Sequence, residues 1–244
     1  MTRLDGSICV VTGASSGIGR ALAIAFAKAG AHVWGIGRSH ERLAALVDDV
    51  AEATGVVAPL VADLERDEDV ETAIDQILAS TERVDVVVHS AGAIELGTFE
   101  SLSSAEFDRQ YRINLRAPFV LTRALLPAIR RARGQIVFVN SSAGLEASAS
   151  NALYAATKHG LRAIADGLRA EVNPDGVRVV SVYAGRTATP MQEAVHAHED
   201  RPYRAELLLR PEDVVQVVMA ALSAPVGCEV TDVHVRPMQK LPPL

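Results

Sequence analysis

Cysteine is almost missing from this chain: its 244 residues hold two, Cys9 and Cys228, each in or beside an apolar, strand-like segment and far apart in sequence. Two such residues form neither a disulfide framework nor a metal-ligand cluster, and both read as reduced core residues. Long apolar runs are lacking as well. The N-terminal "MTRLDGSICVVTG" has only Ile8 to Val11 before a polar turn, too short for the core of a signal peptide or for a membrane span. A cytoplasmic protein with no membrane partner is therefore expected. Nor is there surplus positive charge: 24 Lys and Arg stand against 30 Asp and Glu, a formal net charge of -6. That balance gives no general attraction to nucleic acid, which is not expected as a partner. Repeats, low-complexity tracts and Pro/Gly-rich linkers are absent too, so residues 1–244 are expected to form a single domain.

Hydrophobic residues make up 49% and charged residues 22% of the chain, the proportions of an ordinary globular protein. Seven apolar, β-branched runs recur with helical segments between them: "SICVVT", "AHVWGIG", "VVAPLVA", "VDVVVH", "GQIVFVNS", "GVRVVSVY" and "CEVTDVHV". Strands that are apolar almost throughout are buried on both faces, and interleaved helices supply parallel crossovers. The expected fold class is α/β, a single-domain Rossmann-like doubly wound sheet of about seven parallel strands flanked by helices. Among the helices, "GIGRALAIAFAKAG" stops at Gly30, and Ser39 caps the start of "SHERLAALVDDVAEATG". "AIRRARGQ", with Arg130, Arg131 and Arg133, reads as a solvated helix end whose cations complement the helix dipole. The least regular region is about 184–210, before a final helix opened by "RPEDVV".

In "VVTGASSGIGRALA" a strand meets a tight turn with Gly13, Gly17 and Gly19, and then a helix of small apolar residues. Glycine lets the backbone approach a pyrophosphate closely, and free amides at the helix start bind it, which makes Ser15, Ser16 and Ile18 candidate contacts alongside the glycines. The spacing is G-x-x-x-G-x-G, which departs from the G-x-G-x-x-G dinucleotide fingerprint.

Further elements give this turn a context. "HSAG" at His89 to Gly92, Asn114 in "RINLRAP", Ser141, and "YAATK" at Tyr154 to Lys158 follow it in order. Together the chain resembles the short-chain dehydrogenase/reductase family over nearly its whole length, down to the thirteen-residue interval from Ser141 to Tyr154. The resemblance implies a nicotinamide cofactor and a catalytic set of Asn114, Ser141, Tyr154 and Lys158. Residues four apart on a helix share a face, so Tyr154 and Lys158 point into one cleft. An ammonium beside the phenol would bring its pKa down from near 10. In reduction Tyr154 would give a proton to the carbonyl oxygen, and Ser141 would hold that oxygen by a hydrogen bond. Ser142 is the nearest competitor of Ser141. The family adds a ribose contact for Lys158, a place for Asn114 in a proton relay, and Asp63 near the adenine.

Two departures stand out. The family's Asn-Asn-Ala-Gly is here His89-Ser90-Ala91-Gly92; Ala91 and Gly92 still allow close approach to the adenosine side, and His89, at a strand end, reads as structural. The family's Pro-Gly element is Ala184-Gly185, so the loop that enters the nicotinamide pocket is expected to be less constrained. Thr189 matches the residue near the carboxamide, with Thr187 as the alternative. The segment that follows, with His196, His198, Arg201, Tyr203 and Arg204, occupies the place of a substrate-covering loop; it reads as a solvated face, and no metal site is expected.

Arg38, at the end of the second strand, decides the cofactor form. An acid there would hold a ribose 2'-hydroxyl and repel a 2'-phosphate, whereas a guanidinium favours the phosphate. With help from Ser39 and Arg20 it points to NADP(H). The expected activity is reduction of a carbonyl or oxidation of a secondary alcohol, on a small-molecule substrate, by a homotetramer or homodimer. An NADPH-binding sensor without turnover is the alternative, and an epimerase or dehydratase is disfavoured by the short C-terminal region.

Overall fold

Seven parallel strands build one sheet in the order β3-β2-β1-β4-β5-β6-β7: β1 Ile8–Thr12, β2 His32–Gly37, β3 Val56–Val61, β4 Val86–His89, β5 Gln135–Ser141, β6 Arg178–Ala184 and β7 Asp232–Val235. The computed structural model describes residues 4–239. Eight α-helices connect the strands among these residues: α1 Gly17–Lys28, α2 His40–Asp49, α3 Asp67–Ser80, α4 Ser104–Tyr111, α5 Ala117–Ala132, α6 Ala152–Val172, α7 Pro190–His198 and α8 Pro211–Leu222. The expected doubly wound fold is thus present.

Alternation along each strand explains the continuous apolar runs. Val11, Val88, Val137 and Val182 pack on one side of the sheet with α1, α2 and α8, whereas Val10, Val87, Ile136 and Val179 pack on the other with α3, α5 and α6. Each face has its own core, and each fully buried Val, Leu or Ile contributes about 1.5–3 kcal/mol relative to exposure. Three layers result, with helices on both faces of the sheet.

The chain order reverses between β1 and β4, which lie side by side with Thr12 opposite His89. A crevice opens at such a switch point, beyond the carboxyl ends of the strands. Thr12 fixes its floor, donating to the Val88 carbonyl at 3.4 Å and accepting from the Ser90 and Ala91 amides at 3.1 Å each.

A π-helical turn, Arg112–Arg116, joins α4 to α5. α5 continues the π turn without a break in helical conformation, with Pro118 at its second residue. Arg133 closes α5 at φ 48, beside a basic end where Arg130 pairs with Glu171 and Asp175.

The sequence reading of the cysteines is half corrected. Cys9 is buried, as expected, but Cys228 is exposed. The last strand begins only at Asp232, and as an edge strand it pairs with β6 alone, so the run that includes Cys228 is not held in the sheet.

No described helix is long and apolar enough to cross a membrane. Among the described residues no group of three or more His, Cys, Asp or Glu could hold a metal.

Candidate active site

The glycine turn closes by direct backbone contact. Gly13 adopts φ 70, and a Cβ placed there would lie 2.9 Å from the Ala91 backbone. On Gly19 it would lie 2.4 Å from the Gly13 carbonyl oxygen, and on Gly17, at φ 54, 2.9 Å from Thr189 Cγ2. Side chains are excluded at all three positions. Ser16 precedes α1 in extended conformation, and its side chain makes no capping bond, so the first-turn amides remain available to an anion.

A cavity of about 490 Å3 opens over this turn, walled by Gly13, Ser15, Ser16, Gly17 and Ile18. Asp63, Ala91 and Gly92 form its far side, and exposed Arg38 stands at its rim. Asp63 is fixed by its chain neighbours, taking the Glu65 amide on Oδ1 at 3.1 Å while its N–H donates to the Asp69 carboxylate at 2.9 Å. A glycine cradle, uncapped helix amides and a cationic rim fit a dinucleotide phosphate.

Arg42 lies at the same rim and was missed by sequence reasoning. The signal was there, since Arg38 and Arg42 are four residues apart across the start of α2. Ser39 caps that helix, accepting the Arg42 amide at 3.2 Å, and does not wall the cavity. Arg20, expected to assist, is paired instead with Asp49 and stands away from the rim.

Ile18, Ser90, Gly92 and Thr189 also belong to a second cavity of about 420 Å3, which contains Ser141, Tyr154 and Lys158. The two cavities therefore adjoin. Ser141 ends β5, and Tyr154 and Lys158 sit on the buried face of α6, as the i, i+4 spacing required.

Asn140, missed in the sequence, ties these elements together. Its Nδ2 donates to the Lys158 carbonyl at 3.1 Å and its Oδ1 accepts the Ser141 amide at 2.8 Å. Gly144 makes room for it, since a Cβ there would meet Asn140 Oδ1 at 2.5 Å. A buried asparagine inside an apolar strand, "IVFVNS", was the available signal.

Asn114 is buried in the π turn and uses its whole amide in positioning. It accepts from the Ala93 amide at 2.7 Å, and donates to the Ala93 carbonyl at 2.8 Å and to Thr157 Oγ1 at 3.0 Å. Thr157, also missed, passes the link on by donating to the Tyr154 carbonyl at 2.8 Å. Loop, π turn and α6 are thus locked around the tyrosine.

Burial sets the two titrating groups. It pushes the Tyr154 phenol up to about 12, against a lowering contribution from the Ser141 hydroxyl. It brings Lys158 down to about 8. The expected lowering of Tyr154 by the ammonium is not what governs the phenol here, because Lys158 Nζ is held at the Val139 carbonyl, 3.1 Å away, and lies 5.8 Å from the tyrosine ring centre. Ser142, the competitor of Ser141, is exposed and opens a short 3-10 turn.

The loop after β6 is better held than the missing proline suggested. Ala184 pairs with Val235 in the ladder, and the Gly185 amide donates to the Val235 carbonyl at 2.7 Å. Thr187 donates to the Gly185 carbonyl at 3.0 Å, and Thr189 caps α7 by accepting the Gln192 amide at 3.2 Å. Gly185, Thr187 and Thr189 all wall the catalytic cavity.

His89 is buried and stacked on Phe138, with Nε2 2.8 Å from Thr122 Oγ1; burial alone brings it down to about 3, consistent with a structural residue. His196, read as part of a solvated face, is instead buried on the inner side of α7 against Tyr203. His198 and Arg204 are exposed.

Comparison with known proteins agrees with this fold. The short chain dehydrogenase family model matches residues 7–200. An uncharacterized oxidoreductase of Staphylococcus haemolyticus is 30% identical over 239 residues, covering 98% of this chain and 100% of its own. An alcohol dehydrogenase from the archaeon Thermococcus sibiricus, solved with 5-hydroxy-NADP, superposes with a TM-score of 0.87 at 27% identity, covering 98% and 100% of the two chains. A metagenomic short-chain oxidoreductase solved with NADP does so with a TM-score of 0.84 at 30% identity and the same coverage. With its parallel seven-stranded sheet and its glycine turn, this chain belongs to the short-chain dehydrogenase family of oxidoreductases.

Proposed function

We propose that this protein is an NADP(H)-dependent oxidoreductase that interconverts a carbonyl compound and a secondary alcohol, with Tyr154 as general acid and base. The observation that carries the reading is the meeting of Ser141, Tyr154 and Lys158 in a cavity adjoining the glycine cradle. Gly13, Ser15, Ser16, Gly17, Ile18 and Gly19 would form the pyrophosphate seat, and Asp63, Ala91 and Gly92 the adenosine side. Arg38, with Arg42, would take the 2'-phosphate through paired charged donors. The two solved relatives that hold NADP or 5-hydroxy-NADP support this choice. Gly185, Thr187 and Thr189 would enclose the nicotinamide end. Bound NADPH supplies the hydride in reduction.

The chain's own residues handle the substrate oxygen. Tyr154, kept protonated at neutral pH by burial, donates to it. Ser141 Oγ holds it in line, and Lys158 contributes positive charge next to the phenol and to the ribose. Asn114 acts through Thr157 and the Ala93 loop as a positioning residue. A cytoplasmic location belongs to the same reading. So does self-association, supported by the partly exposed Phe107, Tyr111 and Phe119 along α4 and α5.

NADPH oxidation across a panel of ketones and aldehydes tests the function. Tyr154→Phe is expected to lower kcat by about 10²–10⁴-fold while NADPH still binds. Arg38→Asp should move the preference toward NADH. Wild-type turnover by Tyr154→Phe would remove the proton-transfer role, and an unchanged NADPH/NADH ratio in Arg38→Asp would remove the 2'-phosphate contact.

A further inference from the structure

A third cavity, of about 470 Å3, lies beside the catalytic one, and its charged groups are of one sign. It shares Ser142, Gly185 and Arg186 with the catalytic cavity, so the two have a common wall. Arg186, Arg201, Arg236 and His234 line it, and no carboxylate among the described residues does. We propose that this cavity seats an anionic group of the substrate, so that the carbonyl compounds turned over here carry a carboxylate or a phosphate. The proposal rests on the oxidoreductase reading above and narrows its substrate class.

Arg186 is the central group. Its Nη1 and Nη2 donate to the two oxygens of Glu199 at 2.8 and 2.6 Å, a bidentate pair that fixes the plane of the guanidinium. Glu199 sits on the catalytic side of the wall, and bonding to Arg186 holds its carboxyl below the usual carboxylate range. A guanidinium has five N–H donors, so three remain for a ligand. Arg201 Nε lies 3.8 Å from the same Glu199, which brings a second guanidinium to the side of Arg186. Arg236 adds a third guanidinium to the lining. His234 adds a ring edge, stacked on Tyr183 at 4.8 Å.

A merely solvated basic face would not share a wall with the catalytic cavity, nor would its central arginine be held by an acid on the catalytic side of that wall. Fixed guanidinium donors recognise carboxylate and phosphate oxygens in a defined plane. Because Arg186 stands on the common wall, one molecule can offer its carbonyl to Tyr154 and its anion to the third cavity.

Matched charged and neutral compounds test this. The probes are 3-oxobutanoate and 4-oxopentanoate with their methyl esters, and dihydroxyacetone phosphate with dihydroxyacetone, assayed for NADPH oxidation and titrated calorimetrically against the NADP-loaded protein. At least one anion is expected to exceed its neutral partner tenfold in kcat/KM or in affinity, with most of the kinetic gain in KM. Which pair shows the gain separates carboxylate from phosphate. Arg236→Gln, and R186Q/E199Q, which removes both charges of the partly buried pair together, should each cut that advantage at least fivefold. Equal behaviour of every pair in both measurements overturns the proposal, as does an advantage that survives both variants. If NADPH binds but no compound is reduced, the oxidoreductase reading fails by itself, and the titrations still decide the anion seat.

Discussion

Lys158 keeps its charge at some expense, and the pH dependence of the reaction should show it. Burial depresses its pKa from 10.5 to about 8. Below about 8 the ammonium is present in the folded protein; as pH rises through that value the proton is lost while an unfolded chain would still bind it. The sign follows: folding stability carries the full burial cost below pH 8 and recovers it between about 8 and 10.5, whereas the catalytic charge is present only on the low-pH side. The kcat/KM for carbonyl reduction is therefore expected to be flat at neutral pH and to fall as pH rises through about 8. A profile flat to pH 10 would separate Lys158 from the chemistry. Arg38 illustrates what can be read from sequence at this scale: its place after the second strand was legible, but its companion Arg42 was not sought, and Arg20 turned out to be committed to Asp49.

Between residues and the whole molecule, the π turn of Arg112–Arg116 is the element that most affects the site. It brings Asn114 inward to bond the Ala93 loop and Thr157. Asn114→Ala would leave the buried Ala93 N–H and C=O and the Thr157 hydroxyl without that partner, and with each orphaned buried group costing about 1–3 kcal/mol it is expected to cost at least about 2 kcal/mol in urea unfolding. A loss below about 0.5 kcal/mol would show that the amide does not lock the loop. Sequence periodicity could not reveal this turn, because one wider turn leaves the surrounding helical pattern intact. The strands were legible for the opposite reason: burial on both faces writes continuous apolar runs such as "VDVVVH". The last strand was read too long, since an edge strand is held by one ladder only. Asn140 and Thr157 act by fixing neighbouring backbone across the fold, a role that sequence spacing does not mark.

At the scale of the whole molecule, the doubly wound sheet opens its crevice at the carboxyl ends of the strands, where several candidate groups sit. The glycine turn, Ser141 and the Gly185 loop follow β1, β5 and β6. Their convergence follows from topology, which is why the overall site could be anticipated, while the side-chain charges of the third cavity could not: Arg186, Arg201 and Arg236 are scattered along the chain and meet only in the fold. The proposed self-association belongs to this scale too. Phe107 and Phe119 are 40% and 47% exposed, and Tyr111 41%. Light scattering is expected to give a multiple of the 25.9 kDa chain, and the double substitution F107E/F119E should shift it toward the single-chain mass. A wild-type protein that scatters as one chain would rule out the association.

The unequal fates of the two cysteines make the chain its own folding reporter. Cys9 lies in the first strand with no exposure, and burial pushes its thiol far up, away from the reactive thiolate. Cys228 faces solvent outside the sheet. In terms of labelling stoichiometry, a thiol reagent should consume one equivalent per folded chain and two per unfolded chain. The rate at which the second equivalent disappears then measures how often the central sheet opens, with no probe attached near the catalytic groups.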